Sequence, residues 1–309
     1  MSVAPAISSI SRPETAGIPY LTPEEFQNAP MGIQLNNLIP GAGTPQQNQA
    51  LQAAILRASS WMDLQCHQVL AATTDTEISR GRMRRDGSIY VFTRCYPIRL
   101  VTSVAVNYQP LNFVPMTSLT NVVPLNRTFV IYQAVFPFGS SQGPLQFGPV
   151  YGPYGECWVQ YSYVNGYPVT SLSSACVAGA TSVTPLSVLG ILPSMTLTIS
   201  DIPNTETVTV SSTYVPGTAT VPLQTGTQSA HNQGVYVSAL PDAVKQAAIL
   251  ATAGFIQERG TGALTMASIS GAPVKMNEVP GGGPSDLQQA LAILQEGGFV
   301  AQVSLPSQL

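Results

Sequence analysis

The side chains best placed for chemistry are four arginines within six residues, Arg80, Arg82, Arg84 and Arg85, in the stretch TTDTEISRGRMRRDGSIYVFTRCYPIRLVTSVAV. On an extended chain residues two apart share a face, so Arg80, Arg82 and Arg84 would project together. Asp86-Gly87 offers a two-residue hairpin turn directly after them, because glycine tolerates positive φ and aspartate often does. A row of this kind suits phosphate groups. It also suits a partner protein's carboxylates, or plain solvent at an edge strand, where like charges discourage pairing; these two blander readings carry more weight.

Other reactive groups are sparse. The chain has two histidines. Asp63 and His67 stand four apart on a helical pattern close to Cys66, a spacing that could share a metal, although a surface ion pair explains it more simply. His231 lies in Ala230-His231-Asn232 with no carboxylate close by in sequence and reads as structural. Cys66, Cys95, Cys157 and Cys176 form no C-x-x-C pair, which removes the usual zinc and redox motifs and leaves free thiols as the expectation. No nucleophile elbow, phosphate-binding loop, dinucleotide fingerprint or H-E-x-x-H occurs. Neither catalytic residue, metal nor cofactor is expected, and the chain is not read as an enzyme. Asn126-Arg127-Thr128 matches a glycosylation sequon of the kind chance supplies often.

Composition sets the setting for these groups. The chain has 309 residues, of which 44% are hydrophobic and 9% charged, against roughly 25% charged in a typical soluble domain. Something other than charge therefore covers its surface: neutral polar side chains, or neighbouring subunits. A net charge of −3 offers no overall attraction for nucleic acid or acidic lipid, so any basic site is local. No apolar run approaches the eighteen or so residues of a membrane span, and the residues before Pro13 lack the pattern of a secretory signal. A cytoplasmic origin with no membrane role is expected.

The elements that must position the arginines begin with a proline-rich arm over residues 1–43, in which TPEEFQ forms a short helix with Thr22 as cap and Pro23 at its first position. Residues 44–174 are the first part of a body. Its helix starts at Thr44-Pro45 and runs to about Leu70, with Leu51, Ala54, Ile55, Ala58, Met62, Cys66 and Val69 on one buried face. A hairpin follows, Tyr96-Pro97 interrupts it, and Leu100 to Val106 begins another strand. Residues 107–155 read as a long ordered loop, and Cys157 to Tyr163 as a strand with one buried face. Residues 175–238, almost wholly Thr, Ser, Val, Leu, Pro and Gly, form an inserted β domain. Residues 239–284 return to the body with a helix carrying Val244, Ala247, Ala248, Ala251 and Phe255 on one face. Residues 285–309 hold a short helix capped by Ser285 and a tail. In the tail, Phe299, Val300, Val303 and Leu305 follow Gly297-Gly298 and are expected to dock on another subunit or a partner, as an added strand. The expected class is α+β: a helical body with a β-hairpin and associated strands, plus an inserted small all-β, sandwich- or barrel-like domain.

The order of YLTPEEFQNAP, ALQAAILRASSWMDLQCHQVL with DTE shortly after, YPIRLVTSV and YVNGYP resembles the head-to-tail adaptor, or connector, proteins of tailed bacteriophages. The closing LPDAVKQAAILATAGFIQERGTGAL, its Gly-rich link and its short helix are similar to the same family, and the tract AGATSVTPLSVLGILPSMTLTISDIPNTETVTV to a β module inserted in larger members. The resemblance covers most of residues 20–298. It implies a virion structural protein with no active site, made in the host cytoplasm and sited at the neck of the particle. There it would form a homo-oligomeric ring, twelvefold to match the portal protein, contact a tail-side connector or tail terminator, and extend the channel through which genomic DNA passes. A runner-up reading from another class is a carbohydrate- or receptor-binding β-rich module, suggested by the Thr-rich segment and the aromatic loop.

Overall fold

The computed structural model describes residues 17–30, 35, 38–39, 43–84, 87–107, 111–132, 156–263 and 285–300. The chain divides into two compact units, one built on residues 72–166 and the other on residues 15–71 together with 167–309.

The first unit is a curled antiparallel sheet. Its strands are β1 (Thr73–Met83), β2 (Ile89–Phe92), β3 (Ile98–Asn107), β4 (Val114–Pro115), β5 (Val122–Pro124), β6 (Thr128–Ile131) and β7 (Glu156–Asn165), ordered β4-β3-β7-β1-β2-β6-β5. Alternation decides which face is core. Cys157, Val159, Tyr161 and Tyr163 of β7 point inward with Ile89 and Val91 of β2, Val104 and Val106 of β3, and Phe129 and Ile131 of β6. Two register shifts in β3, between Ile98 and Leu100 and between Val101 and Ser103, bend that strand. The curl brings opposite ends of the sheet together, since the Ile98 amide donates to the Asn126 carbonyl just beyond β5 at 3.1 Å.

The second unit begins with the arm. In α1 (Pro23–Gln27), Thr22 and Glu25 exchange the reciprocal hydrogen bonds of a capping box. Tyr20, Leu21 and Phe26 are buried. The Tyr20 hydroxyl donates to Asp63 and accepts from the Leu70 and Ala71 amides at 3.1 and 3.2 Å, stitching the arm to the end of α2 (Thr44–Cys66). That helix starts where Thr44-Pro45 predicts, although Gly43 rather than Thr44 is the cap. It ends four residues before Leu70, because His67 takes the left-handed conformation at φ 55°. Packed with it are α3 (Asp242–Ala263) and α4 (Asp286–Glu296), the latter carrying a Ser285/Gln288 capping box. Short strands fill the segment between α2 and α3: β8 (Val169–Ser171), β9 (Ser182–Val183), β10 (Thr196–Ser200), β11 (Glu206–Thr209), β12 (Val221–Pro222) and β13 (Tyr236–Ser238). They form a four-stranded sheet, β11-β10-β13-β8, and a β12-β9 pair around a core of their own.

The expected helical body is corrected by this architecture. Among the described residues thirteen strands stand against four helices, and the chain is mostly β. The physical reason lies in residues 72–166. The hairpin is not an appendage of helices but part of a seven-stranded sheet with its own apolar interior, and β4, β5 and β6 occupy the part of the supposed long loop that the structure describes. Residues 133–155 lie outside the described residues. Strands as short as β4 and β5, at two and three residues, carry too little alternation to be seen in sequence. They hold because a neighbour supplies their hydrogen bonds.

Candidate functional site

The arginines sit on the outer face of the first unit's sheet. Asp75, Glu77 and Gly81 of β1 are buried, and the alternate positions face out, where Arg80, Arg82 and Arg84 are exposed. Arg85 lies outside the described residues, as does Asp86. The turn is therefore known from its frame: the Arg84 amide donates to the Ser88 carbonyl at 2.8 Å, the Gly87 amide to the Arg84 carbonyl at 3.0 Å, and Gly87 has φ 78°. Three residues, not the expected two, separate the closing pair Arg84 and Ser88.

Each guanidinium is laid over a ring from an adjoining strand. Arg80 stands directly opposite Trp158 in register, and its Cζ is 5.2 Å from the indole centre. Arg82 stands opposite Tyr90 but reaches diagonally to Phe92 at 6.0 Å, and Arg84 makes the same diagonal step to Tyr90 at 3.8 Å. Cross-strand diagonal neighbours are within reach of long side chains, and a cation over an exposed ring gains about 0.5–1 kcal/mol. Ile78, 40% exposed, and Phe92, 57% exposed, make the same face partly apolar. Glu156 is the register partner of Arg82 on β7.

On the inner face two carboxylates are buried. Glu77 accepts from the Tyr161 hydroxyl at 2.7 Å, the Tyr163 hydroxyl at 2.6 Å and the Arg94 amide at 3.2 Å; Asp75 accepts from the Asn165 side chain at 2.5 Å. Burial, then the Glu77 charge, pushes both phenols far above their ordinary range, so they remain donors. Burial and the charges of Asp75 and Glu77 push the Cys95 thiol up to about 12. Cys66 is likewise pushed up to about 12, by burial and Asp63. Neither sulfur is a thiolate at neutral pH, so neither is an activated nucleophile.

Sequence reasoning missed this cluster and a second one. His231 is buried, with Nδ1 3.0 Å from Asp201 Oδ2 and Nε2 2.5 Å from Glu206 Oε1. Both ring nitrogens are thereby committed to carboxylate oxygens. Burial opposes charge on Glu206, but the amides of Gln228 and Ser229 and the His231 ring outweigh it and hold the carboxyl below its usual range. A signal was present: Asp201 and Glu206 are the only carboxylates between residues 175 and 238, and His231 the only histidine. Chemically the cluster is a strut, since the ring is 0% exposed and the adjacent Cys176 thiol is raised by burial.

The supposed Asp63–His67 pair does not form. His67 leaves the helix and is exposed, while Asp63 turns inward to Tyr20 and the Leu70 amide. Among the described residues no cluster of three His, Cys, Asp or Glu side chains is arranged to hold a metal ion, and no helix is long and apolar enough to cross a membrane. Of the tail residues, Phe299 and Val300 pack against the helical core of their own unit, where the Phe299 carbonyl accepts from Gln68 at 2.8 Å and its ring meets Tyr167 edge-on at 6.4 Å. Val303 and Leu305 lie outside the described residues.

Comparisons with protein-family models, with curated proteins and with solved structures find no match.

Proposed function

We propose that this chain is a virion structural protein, a head-to-tail adaptor that assembles as a ring below a portal, extends the DNA channel and meets a tail-side connector. One observation carries the reading. The outer face of the curled sheet alternates arginines with large exposed apolar side chains, Ile78 and Phe92 among them, on a chain of which only 9% is charged. A surface of that kind is suited to contact with a neighbour or with the DNA of a channel rather than to permanent solvation. The order of elements supports it too, since the arm helix, the long helix, the strands and the closing helices follow the adaptor sequence described above.

A glycan-binding role is less well supported. The β segment's only aromatic side chains between residues 175 and 238 are Tyr214 and Tyr236. Tyr214 is buried, and the Tyr236 hydroxyl is committed to the Pro19 carbonyl at 3.0 Å, so neither forms an open stacking platform.

Native mass spectrometry and negative-stain imaging of the purified chain, alone and with portal assemblies, test the adaptor reading. Closed rings, or stoichiometric decoration of the portal, are expected. A chain that stays monomeric at high concentration, ignores portals and is missing from purified particles overturns it.

A further inference from the structure

We infer that the outer face of the sheet, through Arg80, Arg82 and Arg84, binds the phosphate backbone of duplex DNA without reading its bases. The three side chains rise from one strand at two-residue steps, about 6.8 Å each, which lines up a row of positive charge along β1. The rings beneath them matter as much as the charges. A guanidinium held over the Trp158, Phe92 or Tyr90 ring is supported from below, and it is the group whose fork suits two-pronged phosphate recognition. A side chain already held in place also loses less freedom on binding.

The same rings point to a duplex. With Arg84 only 3.8 Å above Tyr90, that ring is taken by the guanidinium and is closed to an unpaired base. The row itself is matched to phosphate, and a duplex carries one charge per about 1.7 Å of its axis. Contacts of that sort position a protein and carry no sequence preference. An acidic protein surface is the competing occupant. A row of three regularly spaced guanidinium groups matches a regular polyanion better than scattered carboxylates.

The inference needs no ring, and the test uses the unassembled full chain, so its failure is distinguishable from failure of the adaptor reading. Fluorescence anisotropy with a labelled duplex, a single strand of the same sequence and a poly-glutamate peptide, across about 50 to 200 mM salt, measures it. Three phosphate contacts give a log–log salt slope of about −2.7, or roughly forty-fold weaker duplex binding over that range. Replacing all three by glutamine should abolish the slope, while three lysines should keep it at reduced affinity. Arg57→Gln, an exposed position on α2, should change nothing. Should the triple variant fail to fold by circular dichroism, Arg82→Gln and Arg84→Gln singly should each lower the slope by about one. Duplex binding that survives the glutamine variants, preference for the single strand, or binding of poly-glutamate alone overturns the inference.

Discussion

At the scale of single residues, the buried charges set how the protein responds to pH and truncation. Glu206 has a depressed folded-state pKa. Its contribution is thus fully present above the ordinary glutamate range and is lost as pH falls through the lower folded value. Glu206→Gln should destabilise the protein at neutral pH, and the gap from the parent should close progressively below about pH 4. Thermal melts from pH 3 to 7 check this; a gap independent of pH would show that the carboxylate's charge is immaterial. Glu77 makes a sharper case, because its removal takes the acceptor from the Tyr163 hydroxyl and the Arg94 amide and leaves the Tyr161 hydroxyl only the Phe92 carbonyl at 3.2 Å. At about 1–3 kcal/mol for each group left unpaired, Glu77→Ala should cost about 2–6 kcal/mol in chemical denaturation. Neither cluster was legible as a cluster in sequence. Glu77 alternates with Arg80 and Arg82 only through the strand period, and His231 is 25 and 30 residues from its two partners.

At the scale of elements, close packing within the sheet and the separateness of the β segment lead to two expectations. Gly81 of β1 lies so near its neighbours that a Cβ there would meet Ile89 Cγ2 at 2.6 Å, Val159 Cγ2 at 2.9 Å and Cys157 Sγ at 3.1 Å. Gly81→Ala should therefore destabilise by about 1–3 kcal/mol, seen as a lower Tm with the arginine face otherwise intact. The β segment has its own core, and β8 already pairs antiparallel with β13, Val169 opposite Ser238. Joining those strands by a short turn in place of residues 172–235 should leave the helical core folded by circular dichroism. The melting temperature should drop, since the Ser200 hydroxyl would no longer reach Glu25, the carboxylate that Lys245 also contacts at 2.7 Å. Insoluble protein would mean that the segment is indispensable to its unit.

At the scale of the whole molecule, the tail separates internal stability from assembly. Phe299 and Val300 belong to the helical core, whereas the docking idea rests on Val303 and Leu305. Ending the chain after Val300 should leave the melting temperature nearly unchanged while reducing incorporation into particles. Ending it after Gly298 should also lower stability, by about 2 kcal/mol for the lost aromatic burial. Equal stability losses for both truncations would assign the distal tail to its own fold.

Local pattern alone determined the elements whose information is contiguous. The apolar stripe of α2, the capping residues of α1 and α4, the exposed row of arginines and the alternation of β7 each follow from a few neighbouring residues and a fixed backbone period. Tertiary structure decided what those periods cannot encode. It paired β7 with β1, added strands two to four residues long to the same sheet, took Asp63 from His67 and gave it to Tyr20, and brought Asp201 and Glu206 to His231. Each of these depends on partners far apart along the chain. Their energies come from burial and from satisfying polar groups inside a core, and both exist only once that core has closed.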